Sequence, residues 1–215
     1  VTKLSLPLQV LEGESAETLN AQRKLFHERA LPDLSRNIKC GNSLIGWDFF
    51  KAHLTIDDEF KAAINPFDWK KEFSEIFRNG GFNAVIGNPP YGAELADLVS
   101  DYLLTKYPGT SKDLDTYSLF MELAISICQE KGLISMIVPT GWYSGVKFSA
   151  LRKRISLETD PIIFVNLPYD IFNAWVDTTV FALEKRKQAL SWPRIEPCHV
   201  QIKTFKRKFD NILPT

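Results

Sequence analysis

Phe82-Asn83-Ala84-Val85-Ile86-Gly87-Asn88-Pro89-Pro90-Tyr91 is the stretch on which the reading of this chain turns. Its first six residues form a short apolar run introduced by Asn79-Gly80-Gly81, the composition of a strand buried in a parallel sheet. The run delivers Asn88 to the carboxyl end of that strand. Two prolines then hold the backbone extended and carry no N–H, so the ladder stops and the local carbonyls stay free to accept. Tyr91 adds a flat face with a polar tip. In open α/β sheets ligands bind beyond the carboxyl ends of the strands, which is where this segment places an amide, free carbonyls and an aromatic ring.

Working outward, helices and strands alternate. Upstream, Pro66 suits the first turn of a helix on which Trp69, Phe73, Ile76 and Phe77 recur at helical spacing. Downstream, one helix carries Leu95, Leu98, Val99, Tyr102 and Leu103. Another presents Leu119, Phe120, Leu123, Ala124, Ile127 and Cys128 and ends at Lys131-Gly132. Leu133 to Val138 reads as the next buried strand, Val146 to Ile155 as a basic amphipathic helix, and Pro161 to Leu167 and Thr178 to Glu184 as further strands. Nearer the start, two helices break at Glu12-Gly13, the second covering Thr18 to Arg29 and stopping at Leu31-Pro32-Asp33. Ile38 to Cys40 reads as a short strand ending at Gly41-Asn42-Ser43, and residues 46–65 mostly as loop. This alternation predicts an α/β domain, mainly a parallel sheet with helices on both faces. The segments after Gly41, Gly87, Val138 and Leu167 should share its functional edge.

The composition bounds the rest. A chain of 215 residues with 45% hydrophobic and 24% charged residues is an ordinary globular chain, long enough for one α/β domain or two very small ones. No apolar run approaches the roughly 20 residues that span a bilayer, and no signal peptide opens the chain, so the expectation is no membrane and a cytoplasmic location. Cys40, Cys128 and Cys198 lie far apart, as do His27, His53 and His199; no metal site is expected, and a reducing compartment fits. The formal net charge is zero. Lys185, Arg186, Lys187, Arg194, Lys203, Lys206, Arg207 and Lys208 nevertheless crowd the last stretch. Such runs are commonly solvated surface; a phosphate-facing strip through Lys206, Arg207 and Lys208 gains weight only if other features point to DNA.

Asn88-Pro89-Pro90-Tyr91 suits one chemical problem. An exocyclic amine on an aromatic ring is a poor nucleophile because its lone pair is delocalised. The Asn88 carboxamide oxygen and the Pro89 carbonyl can accept its two N–H bonds, align it with a methyl sulfonium and stabilise the charge that develops on nitrogen. Tyr91 offers a stacking surface for an extruded base. The bland alternative is that Pro89-Pro90 merely ends a strand and Tyr91 packs on the surface.

With these residues in view, the sequence resembles the methyltransferase part of type IIG restriction–modification enzymes and N6-adenine DNA methyltransferases of the same motif order. Leu31 to Gly46, Pro66 to Tyr91, Asp115 to Tyr143 and Asp170 to Lys185 resemble successive family segments and together cover most of the chain. The resemblance implies a Rossmann-like S-adenosylmethionine-dependent methyltransferase domain. It implies cofactor contacts from Asn42 and Phe120, and roles for Asn88, Pro89, Pro90 and Tyr91 in holding the target amine and base. It also implies an aromatic contact to the flipped adenine of double-stranded DNA from Phe172, for which a plain core phenylalanine is an equal reading.

The family's glycine-containing cofactor turn and the acid ending its second strand are absent. The chain is therefore expected to be an incomplete domain, first two strands missing, that binds S-adenosylmethionine weakly or not at all alone. Residues 1–190 read as the partial catalytic domain. Residues 191–215 read as a basic extension toward a target-recognition domain outside the chain, where a nuclease would also lie. Three other readings compete: a protein-glutamine or RNA amino-methyltransferase with the same motif; a metal-dependent nuclease built on Asp33, Glu59 and Lys61; and a non-catalytic DNA-binding fragment.

Overall fold

A computed structural model describes residues 34, 36–51, 57–92, 97–109, 115–168, 176–194 and 196–205. The chain divides into two compact units, Val1–Asn42 and Ser43–Thr215. The expected helices of the first thirty residues lie outside the described residues. In the first unit, the amides of Asn37 and Ile38 donate to the Leu34 carbonyl at 2.9 and 2.8 Å. That turn draws Ile38 out of any ladder, and the strand expected at Ile38–Cys40 does not form.

The second unit is built on a five-stranded sheet: β1 (Phe82–Gly87), β2 (Cys128–Pro139), β3 (Thr159–Asn166), β4 (Thr178–Lys185) and β5 (Gln201–Thr204), in the order β1-β2-β4-β3-β5. The β1–β2 and β3–β5 ladders are parallel, while β4 runs antiparallel to both β2 and β3. The fold is α/β and Rossmann-like as expected, but the sheet is mixed rather than mainly parallel. The reason lies at one corner: the Leu167 amide donates to the Thr178 carbonyl at 2.9 Å, so β4 starts at the edge where β3 ends and must run back. β5 comes from the stretch read as a basic extension, and its pairing with β3 ties residues 201–204 into the same sheet.

The helices of this unit are α1 (Asp58–Ile64), α2 (Trp69–Glu72), α3 (Ser74–Arg78), α4 (Asp97–Lys106), α5 (Thr116–Ile127) and α6 (Ser149–Glu158). α1 falls in the region expected as loop; Asp57 caps it by accepting from the Phe60 amide at 2.7 Å, and Asn65 closes it at φ 47°. The single helix expected from Pro66 is two short ones. Asp68 caps the first through the Lys70 and Lys71 amides, and Phe73, at φ −124° and ψ 44°, breaks the turn between them. Trp69, Phe73 and Phe77 still converge, their rings 5.8, 5.3 and 5.8 Å from that of Phe82.

Gly81 then enters β1 at φ 124°, where an added Cβ would lie 2.5 Å from the Ile127 carbonyl oxygen. The position requires glycine on both counts. α5 ends at Ile127, earlier than the Lys131-Gly132 stop suggested. β2 begins at once and absorbs the turn as an irregularity, with Lys131 at φ 60°. Val146–Phe148 is a short 3-10 turn, and the regular helix expected from Val146 starts at Ser149.

α5 is apolar on nearly every side, the pattern of a helix buried all round. Tyr117, Met121, Ala124 and Ile125 join Ile134, Met136, Val138, Phe181 and Leu183 of the sheet and Leu151 and Ile155 of α6. Leu119, Leu123 and Ile127 turn the other way, toward Val99 and Leu103 of α4 and Phe49. Helices on both sheet faces were expected. Among the described residues α5 and α6 pack on one face, and Ile86 and Leu133 are 85% and 46% exposed. No helix among the described residues is long and apolar enough to cross a membrane.

Candidate functional site

The strand directions bring four segments to one edge. β1 and β2 are parallel, so Asn88 and Thr140 leave the sheet side by side, and the antiparallel β4 begins there with Thr178. The Thr140 amide donates to the Asp177 carbonyl at 2.9 Å, closing this corner. The segments after Gly87, Val138 and Leu167 thus share the functional edge as expected. Gly41 belongs to the other unit.

At this edge the Asn88 side chain is exposed while Pro89 is buried, so the amide stands over a fixed main chain. The Thr116 hydroxyl donates to the Pro90 carbonyl at 2.8 Å. The Tyr91 hydroxyl has two acceptors, the Ile137 carbonyl at 3.1 Å and Asn88 Oδ1 at 3.3 Å. The shorter bond pins the ring to β2, and the longer leaves Asn88 Oδ1 capacity for a further donor. The Tyr117 ring stands edge-on to that of Tyr91, centroids 6.2 Å apart and planes at 88°. Burial raises the Tyr91 hydroxyl above its usual pKa, so it acts as a neutral donor and packing surface.

Beneath Asn88-Pro89-Pro90 opens a cleft of about 230 Å³ walled by Ser43, Trp69, Val85, Phe120, Leu123 and Met136. Its volume is below the about 300–1,000 Å³ that engulfs a whole drug-sized ligand, so it suits one apolar ring of a larger molecule. Phe120 is half-buried and touches both core clusters, which gives it a fixed wall position.

The Ser43–Gly46 loop beside the cleft is held group by group. The Trp69 indole donates to the Ser43 carbonyl at 2.9 Å, the Tyr107 hydroxyl to the Leu44 carbonyl at 3.1 Å, and the Phe67 amide to the Ile45 carbonyl at 2.8 Å. The Gly46 amide donates to the Tyr102 hydroxyl at 3.1 Å. That oxygen also accepts from Lys106 at 2.7 Å, while its own proton goes to Asp48 at 3.0 Å. Burial raises the Tyr102 hydroxyl and lowers the Lys106 ammonium.

The structure therefore brings Asn88, Pro89, Pro90, Tyr91 and Phe120 together. Asn42 lies in the first unit, half-buried. Phe172, Lys206, Arg207 and Lys208 fall outside the described residues. Thr116 and Tyr117, which hold the motif from behind, were not singled out from sequence: at the start of an apolar helix they read only as helix residues. The Tyr143 hydroxyl links to Thr179 Oγ1 at 2.7 Å and Asn166 Oδ1 at 3.1 Å, tying together the strand ends on this edge. Among the described residues no group of three or more His, Cys, Asp or Glu could hold a metal. Glu59 and Lys61 of the nuclease pattern lie on α1, where Lys61 pairs with Asp58 at 2.8 Å, while Asp33 falls outside the described residues.

The site is thus an Asn-Pro-Pro-Tyr edge above a ring-sized cleft. The Eco57I restriction-modification methylase family matches residues 1–172. The chain belongs to that family. The type II restriction enzyme and methyltransferase RM.Eco57I of Escherichia coli is 33% identical over 156 residues, covering 70% of this chain and 14% of its own length. RM.MjaORFECS2P of Methanocaldococcus jannaschii is 29% identical over 130 residues, 60% of this chain and 11% of its own length. The chain thus spans 11–14% of these relatives. In fold, it resembles the ATP-dependent type ISP restriction-modification enzyme LlaBIII, solved bound to DNA, with a TM-score of 0.51 at 15% identity over 85% of this chain and 13% of that one.

Proposed function

We propose that this Eco57I-family methylase chain carries the target-amine side of a site-specific DNA methyltransferase, which moves a methyl group from S-adenosylmethionine to adenine N6 within a restriction–modification system. The observation that carries this reading is the division of labour at Asn88-Pro89-Pro90-Tyr91. Thr116 fixes the main chain at the Pro90 carbonyl and β2 holds the Tyr91 hydroxyl, while the exposed Asn88 amide retains acceptor capacity.

When bound, S-adenosylmethionine supplies an electrophilic methyl. Phe120, a wall of the apolar cleft, would hold its adenine, and Asn42 is a further cofactor contact that the family resemblance implies. Asn88 Oδ1 and the Pro89 carbonyl accept the two N–H bonds of the target amine, turning its lone pair toward the methyl. They also stabilise the positive charge that grows on nitrogen. No general base is needed, since the proton can leave to solvent after transfer. The adenine is extruded from double-stranded DNA and stacks on Tyr91, with Phe172 as a further aromatic contact to the flipped base. Lys206, Arg207 and Lys208 face phosphates, and residues 191–215 lead toward a target-recognition domain, in a protein of the prokaryotic cytoplasm.

The test is methyl incorporation from tritiated cofactor by the full-length protein, offered adenine-containing duplex DNA, RNA or a glutamine-bearing protein acceptor. DNA should be labelled at adenine N6. Asn88→Ala should cut the rate about 10²–10³-fold, the scale on which one electrostatic contact to a developing charge acts, with little change in melting temperature. Label on RNA or protein alone, or near-normal DNA methylation by Asn88→Ala, would defeat the reading.

A further inference from the structure

We infer that Thr116 is a positioning residue for the reaction: its hydroxyl sets the main chain of the Asn88–Tyr91 motif from outside the motif. The inference rests on the proposed function above for its consequence, but the tether itself stands on geometry. Thr116 is the first residue of α5 and is 2% exposed. Its Oγ1 reaches across 26 positions of chain to donate to the Pro90 carbonyl at 2.8 Å.

A hydroxyl at a helix start commonly serves the helix's own free amides. Here α5 has no side-chain cap bond from Asp115, yet the neighbouring hydroxyl is directed at the motif. α5 is a rigid anchor for such a bond, since it is packed by both core clusters.

Three consequences meet at Tyr91. The peptide plane between Pro90 and Tyr91 is fixed by Thr116. The ring's far end is fixed by the Ile137 carbonyl at 3.1 Å, and one side is bounded by Tyr117, the residue after Thr116. The aromatic platform is thus held at its root, its tip and its flank. A second effect is chemical. The Thr116 hydroxyl supplies a donor to the Pro90 carbonyl, in a segment whose own prolines have none to offer. A displacement of the motif by about 1 Å costs on the order of 10²-fold in rate when reacting atoms must be aligned.

The test compares Thr116→Val, which keeps the shape and removes the hydroxyl, with Thr116→Ser, which keeps the hydroxyl, in the full-length protein. Two readouts are taken. Hydrogen–deuterium exchange of the peptide spanning residues 86–92 should accelerate in Thr116→Val and return to the parent rate in Thr116→Ser. Methyl transfer to adenine DNA should show kcat lowered about 10-fold to 10²-fold in Thr116→Val, with KM for S-adenosylmethionine within about twofold. Thr116→Ser should restore most of the rate.

Parent-like exchange in Thr116→Val would overturn the tether. So would equal losses in both variants, because the effect would then be packing rather than the hydroxyl. Faster exchange with an unchanged kcat would remove the catalytic consequence and overturn the positioning role. If the parent protein methylates no DNA, the function proposed above fails instead, and the exchange readout still decides whether Thr116 holds the motif.

Discussion

Arg154→Met should be among the most destabilising single changes away from the functional edge. Arg154 on α6 bonds Glu122 Oε2 and Glu158 Oε1, each at 2.9 Å, and the Ser126 hydroxyl at 2.9 Å. Glu122 sits in the middle of α5 with its side chain 0% exposed, while that of Arg154 is 21% exposed. Removing the guanidinium takes the Arg154 charge away from a buried carboxylate, to which the Gly109 amide still donates at 3.0 Å. Breaking such a buried pair costs about 3–5 kcal/mol. Partial exposure of the arginine and the surviving Gly109 bond place this case at the lower end, about 3 kcal/mol. For a domain of this size each kcal/mol moves Tm by about 2–4 °C, so a fall of roughly 6–12 °C is expected. Thermal and urea unfolding of the 215-residue chain would read it. Adding Glu122→Gln to Arg154→Met removes the buried negative charge and keeps an acceptor for Gly109, so the double variant should recover more than half of the loss. The difference between the cycles isolates the pair. An Arg154→Met variant within about 0.5 kcal/mol of the parent, or a double variant less stable than the single, would refute the argument.

Two other outcomes are expected. Burial alone would raise the Glu158 carboxyl, but the hydrogen bond from Lys185, at 2.9 Å, and the charge and bonds of Arg154 outweigh it and hold the group below its ordinary value of 4.5. A depressed carboxylate stabilises the fold fully above its unfolded value, and the contribution is lost as pH falls through the lower folded value. Tm should therefore drop on acidification below about pH 4.5, and Glu158→Gln should be less stable at neutral pH with a flatter acid limb; an unchanged limb would contradict this. Phe120→Ala, which strips the aromatic wall from the cleft, should weaken S-adenosylmethionine binding by the full-length protein at least about tenfold in calorimetry; parent-like affinity would take Phe120 out of the cofactor site.

Much of the molecule was legible in its residues because the signals were local. An apolar run closed by Pro89-Pro90 reads as a strand end, because proline brings no ladder donor, and Asn79-Gly80-Gly81 reads as a break from its turn-forming composition. The recurrence of Leu119, Phe120, Leu123, Ala124 and Ile127 announced a helix, though not that it is buried on nearly every side. Other features depended on partners distant in sequence. The direction of β4 follows from the corner where Leu167 meets Thr178, and no pattern within Thr178–Lys185 encodes it. The end of α5 was misplaced because Lys131-Gly132 makes its turn inside β2. α1 escaped because its apolar stripe is only Phe60 and Ile64, one turn apart and half-buried against the core, too short to mark a helix.

The same division runs through the site. Residue types and their order were enough to nominate Asn88-Pro89-Pro90-Tyr91 as an amine-holding edge, because a motif carries its chemistry in adjacent residues; Phe120 came only from the family resemblance, as a cofactor contact. Only tertiary packing brings Thr116 to the Pro90 carbonyl and Ile137 to the Tyr91 hydroxyl, across 26 and 46 positions of chain. A hydroxyl in a helix and a carbonyl in a strand are unremarkable in sequence. They acquire a role when two core clusters clamp α5 against the sheet, because directional bonds of about 3 Å require their partners to be held in place by everything around them.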